Sequence, residues 1–190
     1  MDKLKNFLQA LTLISDKEFE GSKIHFSEVH LDKGDFFAKQ GIVSKQIAFI
    51  NYGSLRTYYF NDKGEEITAC FRTENSLVSS YTSFILQAPS LLSITALEES
   101  ELIVIDYDDL QNLYRSSMTW QCIGRLLAEK EYINMEQYAS VLNNESAKEK
   151  YLRLLEEQPE VVQKSNVGHI ATYLGVTRRT LSRIRQEISK

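Results

Sequence analysis

The sequence predicts an α+β chain with an N-terminal antiparallel β-barrel, a long central helix and a C-terminal helix-turn-helix of the winged type. Three observations predict it. Short β-like runs separated by Gly, Asn and Asp turns fill residues 20–106. A Pro-free stretch with helical periodicity follows over Thr119–Leu142. Two short amphipathic segments then flank Gly175. The boundaries fall at 1–106, 107–143 and 144–190.

The opening MDKLKNFLQALTLISD reads as a packed helix and not an export signal, because charge interrupts its apolar stretches and no small-residue cleavage site follows. No apolar run approaches the roughly 20 residues that span a bilayer. A cytoplasmic address without membrane attachment is the expectation. In Lys23–Leu31 the apolar residues Ile24, Phe26 and Val29 alternate imperfectly, and Lys33-Gly34 then turns the chain into Asp35–Lys39. Gln46–Ile50 and Ser54–Phe60 flank Asn51-Tyr52-Gly53, and Asn61-Asp62-Lys63-Gly64 leads into Glu65–Phe71. Both spacings suggest hairpins. Ser93–Ala96 and Leu102–Ile105 form a last expected pair. Strands this short are unstable alone, which implies a barrel or a sandwich.

Thr73–Leu92 is less regular and long enough to cover an opening in that barrel. It is the expected place for a small-molecule effector, with Phe71, Ser76, Leu77, Ser79, Ser80, Ser90 and Ser93 as candidate pocket residues. Asp108 and Asp109 suit a helix start, where carboxylates meet the positive end of the backbone dipole. In the long helix, Trp120, Ile123 and Leu127 form one apolar stripe, and Ile133, Tyr138 and Val141 extend it. At about 1.5 Å per residue this helix reaches roughly 36 Å and needs a partner along its length. A two-fold pair between subunits, hence a homodimer, is the expectation. Beyond a polar hinge at Asn143–Ser146, Ala147–Glu157 starts a small domain with Leu152, Leu154 and Leu155 as first core candidates.

Composition excludes several classes. Cys70 and Cys122 are the only cysteines and His25, His30 and His169 the only histidines, and they form no ligand run. That leaves no disulfide framework, metal site or cofactor to expect, and no catalytic constellation for an enzyme. The net charge of −4 conceals an asymmetry. Residues 161–190 hold Lys164, Arg178, Arg179, Arg183, Arg185 and Lys190 against Glu187 alone, while residues 1–160 are strongly acidic. Any surface for phosphates must therefore lie at the C-terminal end.

The stretch Asn166–Ile188 has the form that such a surface needs. Asn166 suits a helix cap, and Val167, Ile170, Ala171 and Leu174 form an inward face. Gly175 permits the left-handed backbone of a tight corner. Thr177 suits the next cap, and Leu181, Ile184 and Ile188 form a second buried face. Arg178, Arg179, Ser182, Arg183 and Gln186 are left outward, and these side chains can bond base edges and phosphates in a major groove. Arg178 and Arg183 are the candidates for base edges. Thr177, Arg179 and Ser182 are candidates for phosphates, and Thr172 and His169 for further phosphate bonds from the first helix. Double-stranded DNA is the expected partner.

This arrangement resembles the catabolite activator and fumarate–nitrate regulator (Crp/Fnr) family over nearly the whole chain, most strongly over Ile170–Arg183. Lys33-Gly34-Asp35, Gly41, Gly53-Ser54-Leu55-Arg56 and Leu97–Leu102 add weaker support. The resemblance implies a double-stranded β-helix barrel of the cyclic-nucleotide-binding kind, a homodimer, an imperfect DNA palindrome and contact with the transcription machinery. Arg178 and Arg183 match the family's two recognition arginines, but Arg179 stands where the family has a carboxylate. Members that bind cyclic AMP carry a Gly-Glu pair and then an Arg-Ser or Arg-Ala. The corresponding stretches here, Glu74–Val78 and Ala88–Ser93, contain no arginine. The resemblance therefore implies a regulator whose barrel senses another small molecule or is structural, with a cyclic-nucleotide-responsive regulator of atypical cassette as the alternative.

Overall fold

The computed structural model describes residues 1–12 and 14–188, with side-chain surroundings for all of these except 138–144. Two helices, α1 (Asp2–Leu11) and α2 (Asp16–Ser22), lead through a 3-10 turn into eight strands. These are β1 (Phe26–Leu31), β2 (Phe36–Ala38), β3 (Gln46–Tyr52), β4 (Ser54–Phe60), β5 (Glu66–Thr73), β6 (Leu77–Val78), β7 (Ser93–Ala96) and β8 (Ser100–Asp106). A short helix α3 (Tyr81–Leu86) lies between β6 and β7. Then come α4 (Tyr107–Ser116), the long α5 (Met118–Asn144), α6 (Ala147–Glu157), α7 (Pro159–Lys164), α8 (Val167–Tyr173) and α9 (Arg178–Ile188). No helix among the described residues is long and apolar enough to cross a membrane.

The expected closed barrel is not what forms. The strands make two open four-stranded antiparallel sheets, in the orders β1-β8-β3-β6 and β2-β7-β4-β5, which is the order of a double-sheet jelly roll. Of the expected hairpins, only β4–β5 is one, with Phe60 opposite Glu66 across the Asn61–Gly64 turn. β3 and β4 lie in different sheets, and so do β7 and β8. Gly53, at φ 98°, makes a corner between sheets. A Cβ there would lie 2.2 Å from Ser100 Oγ, so the corner is closed against β8.

Burial explains why the sheets stay open and stacked. Ala48, Ile50, Leu102 and Val104 point between the sheets, where they meet Leu55, Ile94 and Ala96. Their neighbours Phe49, Ile103 and Ile105 point outward under α1, α4 and α5. Successive side chains on a strand alternate faces, so β3 and β8 read as continuous apolar runs because both their faces are covered. The second sheet's outer face is covered too. Phe71 and Leu97 join one apolar cluster with Tyr151, Leu154, Val161, Ile170, Leu174, Leu181 and Ile184 of the C-terminal helices. Leu154 is buried there and Leu155 packs beside it, but Leu152 is exposed. The expected wing has no counterpart, since residues 145–188 form helices and turns without a strand.

The long helix also departs from expectation. Trp120 and Ile123 are buried in the chain's own core against α1, β3 and α4, with Leu127 packed on it. Within the chain their side chains are spent on this core. Of the expected extension, Ile133 is exposed, and Tyr138 and Val141 lie outside the described side chains. Tyr132 and Met135 are exposed beside Ile133, at 68% and 71%.

Candidate nucleic-acid interface

The corner between α8 and α9 is built by local chemistry. Asn166 Oδ1 accepts from the His169 backbone N–H at 2.8 Å and caps α8. At the other end Val176 N–H donates to Ala171 O at 2.9 Å and Gly175 N–H to Thr172 O at 3.2 Å. This paired pattern is the Schellman closure, and it needs Gly175 at φ 69°. Thr177 Oγ1 then accepts from Thr180 N–H at 3.1 Å and caps α9. Ile170, Ala171 and Leu174 on one helix, and Leu181 and Ile184 on the other, are buried together. Val167, expected to face inward, is exposed.

The cap Thr177 and, on α9, Arg178, Arg179, Ser182, Arg183 and Gln186 are all exposed. Arg179, Arg183 and Gln186 have no hydrogen-bond or ion-pair partner among the described residues. Ser182 Oγ donates back to Arg178 O at 3.0 Å. The Arg178 guanidinium folds over the start of α8, where a Cβ on Gly168 would lie 2.8 Å from its Nη2. Gly168 therefore makes room for this arginine, a role with no signal in the sequence beyond the glycine itself. Arg185 turns the other way, with its Nε donating to Tyr151 Oη at 3.0 Å. Lys164 pairs with Glu98 at 2.8 Å, and that carboxylate holds its amine above the ordinary value.

Thr172 and His169, expected to reach phosphates, face the second sheet. Thr172 Oγ1 lies 2.9 Å from Thr68 Oγ1 in a hydrogen bond. Behind Thr68 is Arg56, almost wholly buried, with Nε donating to Thr68 Oγ1 at 2.8 Å and Nη1 to Glu66 at 2.6 Å. The Arg56 guanidinium also stacks 4.3 Å from the Tyr58 ring centre. Burial, with the nearby Arg56 and Arg178 charges, pushes His169 down from 6.5 to about 4, so its ring is neutral at pH 7. Sequence reasoning missed this docking contact. Its one signal is an arginine inside the otherwise uncharged strand Ser54–Phe60.

The expected effector residues do not gather round one opening. Phe71 packs outward against α8, its ring 5.3 Å from that of Tyr173. Ser90 Oγ donates to Ser80 Oγ at 2.7 Å, and Ser93 Oγ accepts from Gln40 N–H at 3.1 Å. Ser79 Oγ donates to Gln46 O, Ser76 Oγ to Thr73 O, and Leu77 packs against the first-sheet core. The hydroxyls hold the loop together. Arg72, on the next strand position, pairs with Glu131 of α5.

Two open sheets, a long helix and a capped helical corner in this order can be compared with known proteins. Residues 28–117 match the family model of the cyclic nucleotide-binding domain. The structure of FixK2 from Bradyrhizobium japonicum superposes with a TM-score of 0.71 at 18% identity, covering 86% of this chain and 84% of that one. The c-di-GMP responsive global regulator CLP of Xanthomonas campestris gives 0.70 at 18% identity, with 92% of each chain covered. A crp/fnr family transcriptional regulator from Eubacterium rectale gives 0.67 at 19%, covering 93% and 84%. The chain has the Crp/Fnr fold. No curated protein sequence matches it. Within the Crp/Fnr frame, the matched segment spans the two sheets and α4, and α9 occupies the second position of the helical corner.

Proposed function

We propose that this Crp/Fnr-type chain is a dimeric transcription regulator that reads a DNA palindrome with α9. One observation carries the reading: α9 buries Leu181 and Ile184 while Arg179, Arg183 and Gln186 stand exposed without partners among the described residues. In a regulator, Arg183 would donate to a guanine edge, Arg178 would swing from Gly168 to a second base, and Arg179, Thr177 and Ser182 would hold phosphates. Residues 1–106 would serve as sensor or scaffold, 107–143 as the pairing helix, and 144–190 as the DNA-binding domain. Pairing would use the exposed half of α5 around Tyr132, Ile133 and Met135. Selection of bound sites from random duplexes tests the reading. The expected outcome is a two-fold motif weakened by Arg183→Ala; no enriched motif at low salt would sink it.

The family-model match over residues 28–117 favours a second reading, in which a cyclic nucleotide is the effector. Against it, the stretch between Arg72 and Ser93 offers no arginine for a cyclic phosphate. Micromolar binding of cyclic AMP or cyclic GMP in a calorimetric titration would establish this second reading.

A further inference from the structure

We propose that the cleft between α3, α4 and α5 binds a small amphipathic carboxylate, an alkyl or aromatic acid. The cleft has a volume of about 370 Å³, within the range of roughly 300–1,000 Å³ common to small-molecule sites. Its floor is apolar, with Phe84 and Leu110 buried and Ile47 beside them. Tyr81 and Ile85 of α3 form one wall, and both are about half exposed. An alkyl or aromatic tail laid there would leave water on contact with this surface.

The mouth selects the head group. Arg115 lines it and has only the neutral Asn112 Oδ1 as partner, at 3.1 Å. No carboxylate pairs with Arg115 among the described residues. Arg125, the second arginine of the lining, is already paired with Glu129 at 2.6 Å. No Asp or Glu belongs to the lining, so an entering anion meets an unmatched guanidinium and no facing carboxylate. Tyr114 also lines the cleft, against Gly124, where a Cβ would lie 2.4 Å from its Oη. Burial pushes the Tyr114 phenol up to about 12, so it remains a neutral donor, and it has no side-chain partner among the described residues. A cationic head group would be repelled at this mouth, and a neutral one would lose the charge-assisted bond.

The site joins α3 to the first turns of α5, so its occupancy bears on how the long helix seats against the sheets. As an effector site it rests on the regulator reading; as a binding site it does not. The test is calorimetric titration of the full chain, without DNA, with decanoate, decan-1-ol and decyltrimethylammonium. Decanoate is expected to bind saturably, one per chain, with the other two weaker by about tenfold or more. Arg115→Gln should remove the preference for decanoate and leave decan-1-ol binding unchanged. Ile85→Trp, which fills the mouth from an exposed position, should weaken all three. Absence of saturable decanoate binding, equal binding of the three head groups, or binding indifferent to Ile85→Trp would overturn the proposal. A chain that binds decanoate but selects no duplex keeps this site and loses the DNA reading; the converse result removes this site alone.

Discussion

The two helices of the C-terminal corner carry similar side chains in opposite circumstances. α8 presents Thr172 to the second sheet, where Thr68, backed by the buried Arg56, receives it, and His169 is half-buried beside them with its ring bonded to Asn166. α9 presents Arg179, Arg183 and Gln186 to solvent with no partner among the described residues. Polar groups that meet one another across a packed contact hold two parts of a chain in place. Polar groups left exposed on a rigid helix remain available to another molecule. Thr172 thus docks α8 on the sheet, and under the proposed function recognition falls to α9, although either helix alone looks suited to phosphates.

The largest expected effect comes from removing what both helices share. Leu181→Ala should destabilise the corner by roughly 2–5 kcal/mol, because Leu181 is fully buried in the cluster that joins α8, α9 and Phe71. Chemical denaturation followed by circular dichroism measures it, and a loss far below 1 kcal/mol would contradict the shared core. Next, Arg183→Ala should weaken binding to the selected duplex by about 1–3 kcal/mol and relax preference at one base pair. Arg179→Ala should instead weaken all duplexes alike and make the salt dependence shallower by about one counterion. Fluorescence anisotropy on matched and scrambled duplexes separates the two.

The α8 side should respond differently. Thr172→Val removes the bond to Thr68 and should lower stability by about 1 kcal/mol while leaving the salt dependence of DNA binding unchanged. A changed salt slope would return Thr172 to the DNA surface. The smallest effect is a pH dependence. His169 sits at about 4 in the fold against 6.5 ordinarily, so the unfolded chain takes up the proton first as pH falls. The contribution of the neutral ring is thus present above pH 6.5 and lost as pH drops from 6.5 toward 4. Thermal midpoints across that window should fall less steeply in His169→Asn, and identical slopes would place the ring in solvent.

Much of the helical corner was legible because its signals are local. Asn166 and Thr177 cap within three residues, and Gly175 allows a backbone that other residues resist. The sheets were legible only as strands. Which strands pair depends on surfaces distant in sequence: β3 and β4 have the spacing of a hairpin, yet they enter different sheets, with Gly53 pressed against Ser100 at the corner. The candidate effector serines were hard to read for a related reason. Hydroxyls serve a loop as readily as a ligand, and here Ser80, Ser90 and Ser93 bond within the protein.

By itself, the sequence determined the order of elements, the basic C-terminal surface and the turn that exposes it, since each follows from spacing, charge and backbone freedom over a few residues. Only the tertiary structure decided that the strands form two open sheets, that Trp120 and Ile123 belong to the chain's own core, and that α8 rests on β5 through Thr68, which Arg56 of β4 supports. Those outcomes depend on which apolar and polar faces meet across long stretches of chain, and periodicity shows that a face exists without showing what will cover it.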